Sequence, residues 1–331
     1  MKKMALAVHG GAGTILKSLM TSELEAEYRA GLENALRTGW GVLRRGGSAL
    51  DAVEATVVEL ENFPLFNAGR GSVFTHAGKN EMDASIMDGG GLKAGAVAFV
   101  KNVKNPVKLA RLVMERTEHI LLGGEGADEF AREMGVELEP DEYFFTEHRF
   151  EQLQKAIEAD RVQLDHAIDD RALIEDAPDS GDRKSQNANR KSLGTVGAVA
   201  CDSEGNVAAA TSTGGMTNKK FGRIGDTPLI GAGTYADNST CAVSCTGHGE
   251  YFMIGATAYD AAARMKYKGL SLKDAAQESI DYLTTINGEG GLIAVDALGN
   301  IAMPFNSEGM YRGFAVEGNI TVGIYKELSP E

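Results

Sequence analysis

The stretch Gly194-Thr195-Val196-Gly197-Ala198-Val199-Ala200-Cys201 decides how this chain is read. From Thr195 onward it is a short apolar run with β-branched residues, the pattern of a buried strand. Before it lies RVQLDHAIDDRALIEDAPDSGDRKSQNANRK (Arg161–Lys191), which has few aliphatic residues, no aromatic, and a dense mixture of charge, Ser, Asn and Pro. Such a composition cannot bury enough surface to offset its ordering entropy, so residues 161–194 are expected to form a flexible linker. A structureless segment of that length inside a compact protein is either a domain linker or a segment with a function of its own.

Thr195 bears on that choice. In an intact chain its hydroxyl is a weak nucleophile beside a non-basic amide. Cleavage before it would free an α-amine with a pKa of about 7.7 to 8.0, placing nucleophile and base on one residue. Gly194 suits the other side of such a cut, because a residue without Cβ tolerates strain and lets the hydroxyl approach its carbonyl. The alternative is a plain turn followed by a strand.

The chain has 331 residues, 43% of them hydrophobic, enough for one large domain or two ordinary ones. A net charge of −14 argues against nucleic-acid or anionic-membrane partners, which need an excess of Lys and Arg. No stretch has the apolar length of a membrane span. Met1-Lys2-Lys3 leads into too short an apolar run for a signal peptide, so a cytoplasmic location is expected. Cys201, Cys241 and Cys245 form no C-x-x-C pair and are expected to be buried thiols.

Working outward, Met4–His9 reads as a strand followed by a glycine-rich turn at His9–Gly13, then helices over Ser22–Arg45 and Ser48–Glu61. Strands are expected at 72–75, 81–87 and 92–100, and helices at 106–116, 126–134 and 147–159. After the linker come strands at 195–201, 207–213, 229–235 and 241–246, helices at 251–265 and 271–283, and three closing strands. Runs of strands and runs of helices predict an α/β protein built as a four-layer αββα sandwich with two antiparallel sheets. Two separate α+β domains are the alternative.

The chemistry-bearing motifs sit near strand ends: Thr211–Asn218, with its hydroxyl cluster, Gly222–Asp226, Thr246–Glu250 and Asn306–Arg312. Arg223 and Asp226 would hold the carboxylate and ammonium of an amino acid, Arg being suited to bidentate carboxylate binding; alternatively they form a surface ion pair. Thr246 and Gly247 form a candidate oxyanion hole, unless Thr246 is merely a helix N-cap. His9 is a general base or, as the better reading, a structural hydrogen-bonding group. Asp83 and Asp88 are read as strand and turn residues, not a catalytic pair.

Together with Pro64–Gly71 and Met82–Gly89, these motifs resemble, in order and over nearly the whole chain, the plant-type L-asparaginase and isoaspartyl (β-aspartyl) peptidase family of N-terminal-nucleophile hydrolases. The resemblance implies that fold, with autocleavage between Gly194 and Thr195 into an α subunit (1–194) and a β subunit (195–331). It also implies a dimer of such αβ units. L-asparagine and isoaspartyl dipeptides would be the small-molecule substrates, hydrolysed without a catalytic cofactor. By the same resemblance Thr195 is the nucleophile and its amine the base, Thr213 orients the hydroxyl, and Asn67 lies beside the amine. Arg223, Asp226 and the backbone of Gly249 bind substrate, and Thr246 with Gly247 stabilises the oxyanion. A structural sodium ion would take the backbone carbonyls of Leu60, Glu61, Phe63, Phe66, Ala68 and Arg70. His248 occupies a variable position and is expected only to tune the pocket. Rival readings are a glycosylasparaginase, disfavoured by Gly194, a taspase-like protease, and a non-enzymatic ligand-binding protein, which would lack any phosphate-cradling glycine motif.

Overall fold

A computed structural model describes residues 3–159 and 194–326. The expected linker, Gly194 apart, lies outside the described residues. Before it run β1 (Ala5–Gly13), α1 (Ser22–Arg44), α2 (Ala49–Asn62), β2 (Met82–Asp88), β3 (Lys93–Val100), α3 (Pro106–Arg116), β4 (Leu121–Gly123), α4 (Gly124–Glu133), α5 (Asp141–Phe144) and α6 (Glu147–Glu158). After it run β5 (Val196–Cys201), β6 (Val207–Thr213), β7 (Thr234–Ala236), β8 (Cys241–Gly247), α7 (Gly249–Gly255), α8 (Thr257–Lys268), α9 (Leu272–Thr285), β9 (Gly290–Asp296), β10 (Ile301–Ala302), β11 (Gly309–Val316) and β12 (Asn319–Gly323).

Helix starts follow local chemistry. Thr21, Ser48 and Ser271 each accept a hydrogen bond from the backbone N–H three residues on, and Ser48 and Ser271 also donate to Asp51 and Asp274. Strands β5 and β6 carry small side chains that alternate between two cores. Val196, Ala198 and Ala200 join Leu6, Leu32 and Leu36 in the larger core, while Val199 and Cys201 face Ala242 and Ile293 in another.

Eight strands form one sheet in the order β12-β11-β1-β5-β6-β2-β3-β4, and four form a second, β10-β9-β8-β7. Helices α1, α2 and α3 lie on the first sheet and α8 and α9 on the second, while β1, β5 and β6 meet β8 and β9. Strands from both sides of the linker interleave in the larger sheet, so the two halves share one core. This places Thr195 between the sheets, at the entrance to a central strand.

Several expectations are corrected. The β3–β4 pair is parallel, so the larger sheet is not wholly antiparallel. His9–Gly13 is no turn: β1 runs through it, with a bulge between His9 and Gly11 that absorbs the glycines. Gly10 is required there because a Cβ would strike the Phe66 ring. Residues 72–75 form only a bridge from Phe74 to Asn80, and the strand expected at 229–235 shrinks to Thr234–Ala236. The helix expected at 251–265 is broken at Ala256, whose φ of 44° and ψ of 47° are left-handed.

Candidate active site

Thr195 directly precedes β5, flanked by the end of β6 and by the loop after α2. Its Oγ1 donates to Thr213 Oγ1 at 3.2 Å, and Thr213 in turn donates to the Gly194 carbonyl at 3.2 Å. That carbonyl also accepts from Asn67 Nδ2 at 2.8 Å. Asn67 cannot swing away: Nδ2 also reaches the Gly215 carbonyl at 2.8 Å, and Oδ1 accepts from Val73 N at 3.0 Å. The Gly215 N–H donates to Thr213 Oγ1 at 3.0 Å. The Gly194 carbonyl is thus held by two donors, one of which also accepts from the Thr195 hydroxyl.

The pocket beyond is lined by Thr195, Thr213, Met216, Arg223, Asp226 and Gly247 among others. Arg223 pairs in bidentate fashion with Glu250, Nε to Oε1 at 2.9 Å and Nη2 to Oε2 at 3.0 Å, and not with Asp226. Asp226 is buried, and its Oδ2 has no partner among the described residues. Gly249 sits between them, since a Cβ there would lie 2.9 Å from Arg223 Nη2 and 2.9 Å from Asp226 Oδ1. Thr246 is no N-cap: it belongs to β8, the cap of α7 is His248, and the buried Thr246 Oγ1 also lacks a partner among the described residues. A buried hydroxyl or carboxylate left unpaired costs roughly 1–3 kcal/mol or more, so both atoms are free to take a polar partner in the pocket.

A family model described as "Asparaginase" matches residues 2–324. The chain belongs to the asparaginase family. It is 50% identical over 329 residues to the isoaspartyl peptidase of Salmonella typhimurium, covering 99% of this chain and 100% of that protein. It is 49% identical to the isoaspartyl peptidase of Escherichia coli strain K12, over 99% and 98% of the two chains. It is 43% identical to the human isoaspartyl peptidase/L-asparaginase, over 96% and 95%.

In this asparaginase-family site burial dominates the electrostatics. It pushes the Asp226 carboxyl up to about 7 against the pull of Arg223. Glu61 rises to about 8 for the same reason, although Ser212 Oγ donates to its Oε1 at 2.7 Å. His9 is wholly buried and pushed down to about 3, which keeps it neutral and supports its structural reading over a general base. Asp83 and Asp88 both lie in β2, Asp88 as its last residue before the turn: Asp83 Oδ1 accepts from Phe99 N at 2.9 Å and Asp88 Oδ1 from Gly90 N at 3.0 Å. The three cysteines are buried, as expected.

Two contributors were not foreseen. Glu250 holds Arg223 in place, and the His248 ring flanks it at 3.4 Å. Arg149, fully buried on α6, donates to the carbonyls of Gly71 at 2.9 Å and Leu65 at 3.0 Å, bracing the loop that carries Asn67. A charged residue three positions before a helix-stabilising Gln gives no sequence signal of that clamp. Among the described residues no group of His, Cys, Asp and Glu side chains could hold a metal, and no helix is long and apolar enough to cross a membrane.

Proposed function

We propose that this chain cuts itself between Gly194 and Thr195, and that the freed Thr195 hydrolyses L-asparagine and isoaspartyl dipeptides, in a four-layer αββα fold of the N-terminal-nucleophile type. The observation that carries the reading is the Gly194 carbonyl, held by Asn67 and Thr213 beside the Thr195 hydroxyl. Family membership makes the protein a hydrolase, and the names of its relatives supply the substrates.

In maturation, Thr195 Oγ attacks the Gly194 carbonyl carbon and the C–N bond breaks as the proton passes to nitrogen. Water then hydrolyses the resulting ester, leaving a Gly194 carboxylate and the Thr195 amine. In turnover that amine takes the hydroxyl proton, and Oγ attacks the substrate's side-chain carbonyl. Thr246 Oγ1 and the Gly247 N–H receive the oxyanion. Ammonia, or the amine of the dipeptide's second residue, leaves with a proton from the Thr195 ammonium. Water hydrolyses the β-aspartyl ester to aspartate. Arg223, anchored by Glu250, presents Nη1 to the α-carboxylate and Asp226 receives the α-ammonium. The two products of the cut, residues 1–194 and 195–331, stay joined through their shared sheet, and two such units form the dimer.

The sodium site has support in the loop's shape. A Cβ at Gly69 would crowd the Glu61 carbonyl, and one at Gly71 the Phe66 and Pro64 carbonyls, so the loop curls tightly with its oxygens gathered. Leu60, Glu61, Phe63, Phe66, Ala68 and Arg70 would offer carbonyls to a hard cation, which when bound would stiffen the loop under Asn67.

Two tests follow. Gly249→Ala inserts a methyl into the clamp, so KM for L-asparagine is expected to rise about tenfold or more while the Thr195 fragment still appears; unchanged KM in steady-state assays would remove Gly249 from the site. The pH profile separates two groups. Asp226 must be ionised to take the ammonium, so KM rises by about tenfold per pH unit as pH falls below about 7. With substrate bound, the ammonium holds Asp226 ionised, and kcat keeps only the limb of the Thr195 amine. A KM that is flat from pH 5 to 8 would contradict this assignment.

A further inference from the structure

Beyond the residues that touch substrate, a line of buried polar side chains crosses between the sheets. His9 Nδ1 lies 3.0 Å from the Thr195 carbonyl oxygen, and His9 Nε2 lies 2.8 Å from Ser244 Oγ. Ser244 Oγ is 2.7 Å from Thr211 Oγ1, which contacts Thr234 Oγ1, itself 2.7 Å from Ser85 Oγ. All six residues, from His9 and Thr195 to Ser85, are buried.

Hydrogen counting gives this line one direction. A carbonyl only accepts, so Nδ1 carries the ring proton and Nε2 must accept from Ser244. With the Ser244 hydrogen used, Thr211 is the donor to Ser244, leaving its 3.4 Å contact to the Gly233 carbonyl the weaker one. Thr234 then donates to Thr211, and the single Ser85 hydrogen is shared between Thr234 at 2.7 Å and the Thr227 carbonyl at 2.6 Å. Full burial of the ring keeps it neutral, as this polarity requires.

The placement is specific. The β1–β5 ladder pairs residues from Ala5–Cys201 to His9–Gly197 and goes no further, so the Thr195 carbonyl has no β1 ladder partner and the His9 ring supplies the donor. Gly197 leaves the room, for a Cβ there would collide with Ser244 Oγ and His9 Nε2. Thr211 stands two residues before Thr213 and Ser244 two before Thr246, so strand periodicity puts each on the same face as a residue assigned to the reaction.

We propose that His9, held by Ser244 and Thr211, is a positioning residue that fixes the Thr195 peptide, and so aims the nucleophile for both self-cleavage and turnover. The inference rests on the function proposed above. His9 touches neither substrate nor the reacting atoms; it acts through Thr195.

Amide side chains divide its two bonds. Asn places a donor where Nδ1 stands and keeps the bond to Thr195, whereas Gln places its amide near Nε2 and keeps only the Ser244 side. Full-length His9→Asn, His9→Gln and Ser244→Ala proteins would be followed by intact mass for the Thr195 fragment, then by kcat and KM on the cut enzyme. His9→Gln is expected to slow cleavage and lower kcat by about 10- to 100-fold with KM within about twofold, since a misplaced nucleophile costs rate more than binding. His9→Asn should restore kcat to within about threefold of wild type, and Ser244→Ala should lower it about tenfold. A merely structural role would lower thermal stability without the Asn rescue. If His9→Gln cleaves and turns over like wild type, or His9→Asn is no better than His9→Gln, the inference fails while the function stands. Should neither His9 variant fold, wild-type kcat in Ser244→Ala would overturn it. If wild type itself yields no Thr195 fragment, both readings fall.

Discussion

Thr195→Ala protein is expected to remain one uncut chain of 35.1 kDa and to hydrolyse neither asparagine nor β-aspartyl dipeptides, a loss on the order of 10⁵-fold or more. Both losses share a cause: the residue supplies the hydroxyl that attacks Gly194 and, once free, the nucleophile and base of turnover. The fold should survive. Among the described residues Thr195 Oγ1 makes one hydrogen bond, to Thr213 at 3.2 Å, whose net contribution is about 1 kcal/mol. Thr195→Ser keeps a hydroxyl and should still be cut. Denaturing mass spectrometry and an ammonia-release assay check the pair; substantial activity in uncut Thr195→Ala would remove Thr195 from the reaction.

Thr246→Val is the second large effect, and it separates the two reactions. Valine keeps the shape of threonine but not the hydroxyl, so kcat is expected to fall by about 10²- to 10³-fold, the loss of one oxyanion donor. Self-cleavage should continue, because the Gly194 carbonyl is held by Asn67 and Thr213 rather than by Thr246. Stability should hold or rise. Thr246 Oγ1 is buried without a partner among the described residues, so removing it relieves a desolvation penalty of roughly 1–3 kcal/mol. A Thr246→Val protein with wild-type kcat, or one that is never cut, would contradict this division of labour.

What the sequence made legible was what depends on neighbours along the chain. Ser48 and Ser271 mark helix starts through their own caps, and β5 and β6 are readable because both faces are buried and their small residues alternate between two cores. Arg223, Asp226, Thr246 and Gly247 were found as motifs, and the structure brings Arg223, Asp226 and Gly247 to one pocket with Thr195, with Thr246 adjoining in sequence. The misses are long-range. Glycines at 10, 11 and 13 read as a turn, yet a bulge and the Phe66 ring fit them into a strand. Glu250, in the first turn of α7, grips Arg223 from 27 positions away. Arg149 and His9 act on carbonyls 78 and 186 positions distant, contacts that no local pattern encodes. The break at Ala256 escaped because nothing next to it but Gly255 opposes a helix.

The central claim is that the bond between Gly194 and Thr195 is the one the protein cuts to make its active site. Its most direct test is intact-mass analysis of freshly purified full-length protein, before and after incubation at neutral pH. The account predicts that the 35.1 kDa chain gives way to two fragments, one beginning at Thr195, and that hydrolysis of asparagine or β-aspartyl dipeptide grows in proportion to that fragment. A chain that stays whole yet hydrolyses these substrates, or one that is cut at another bond, would contradict it.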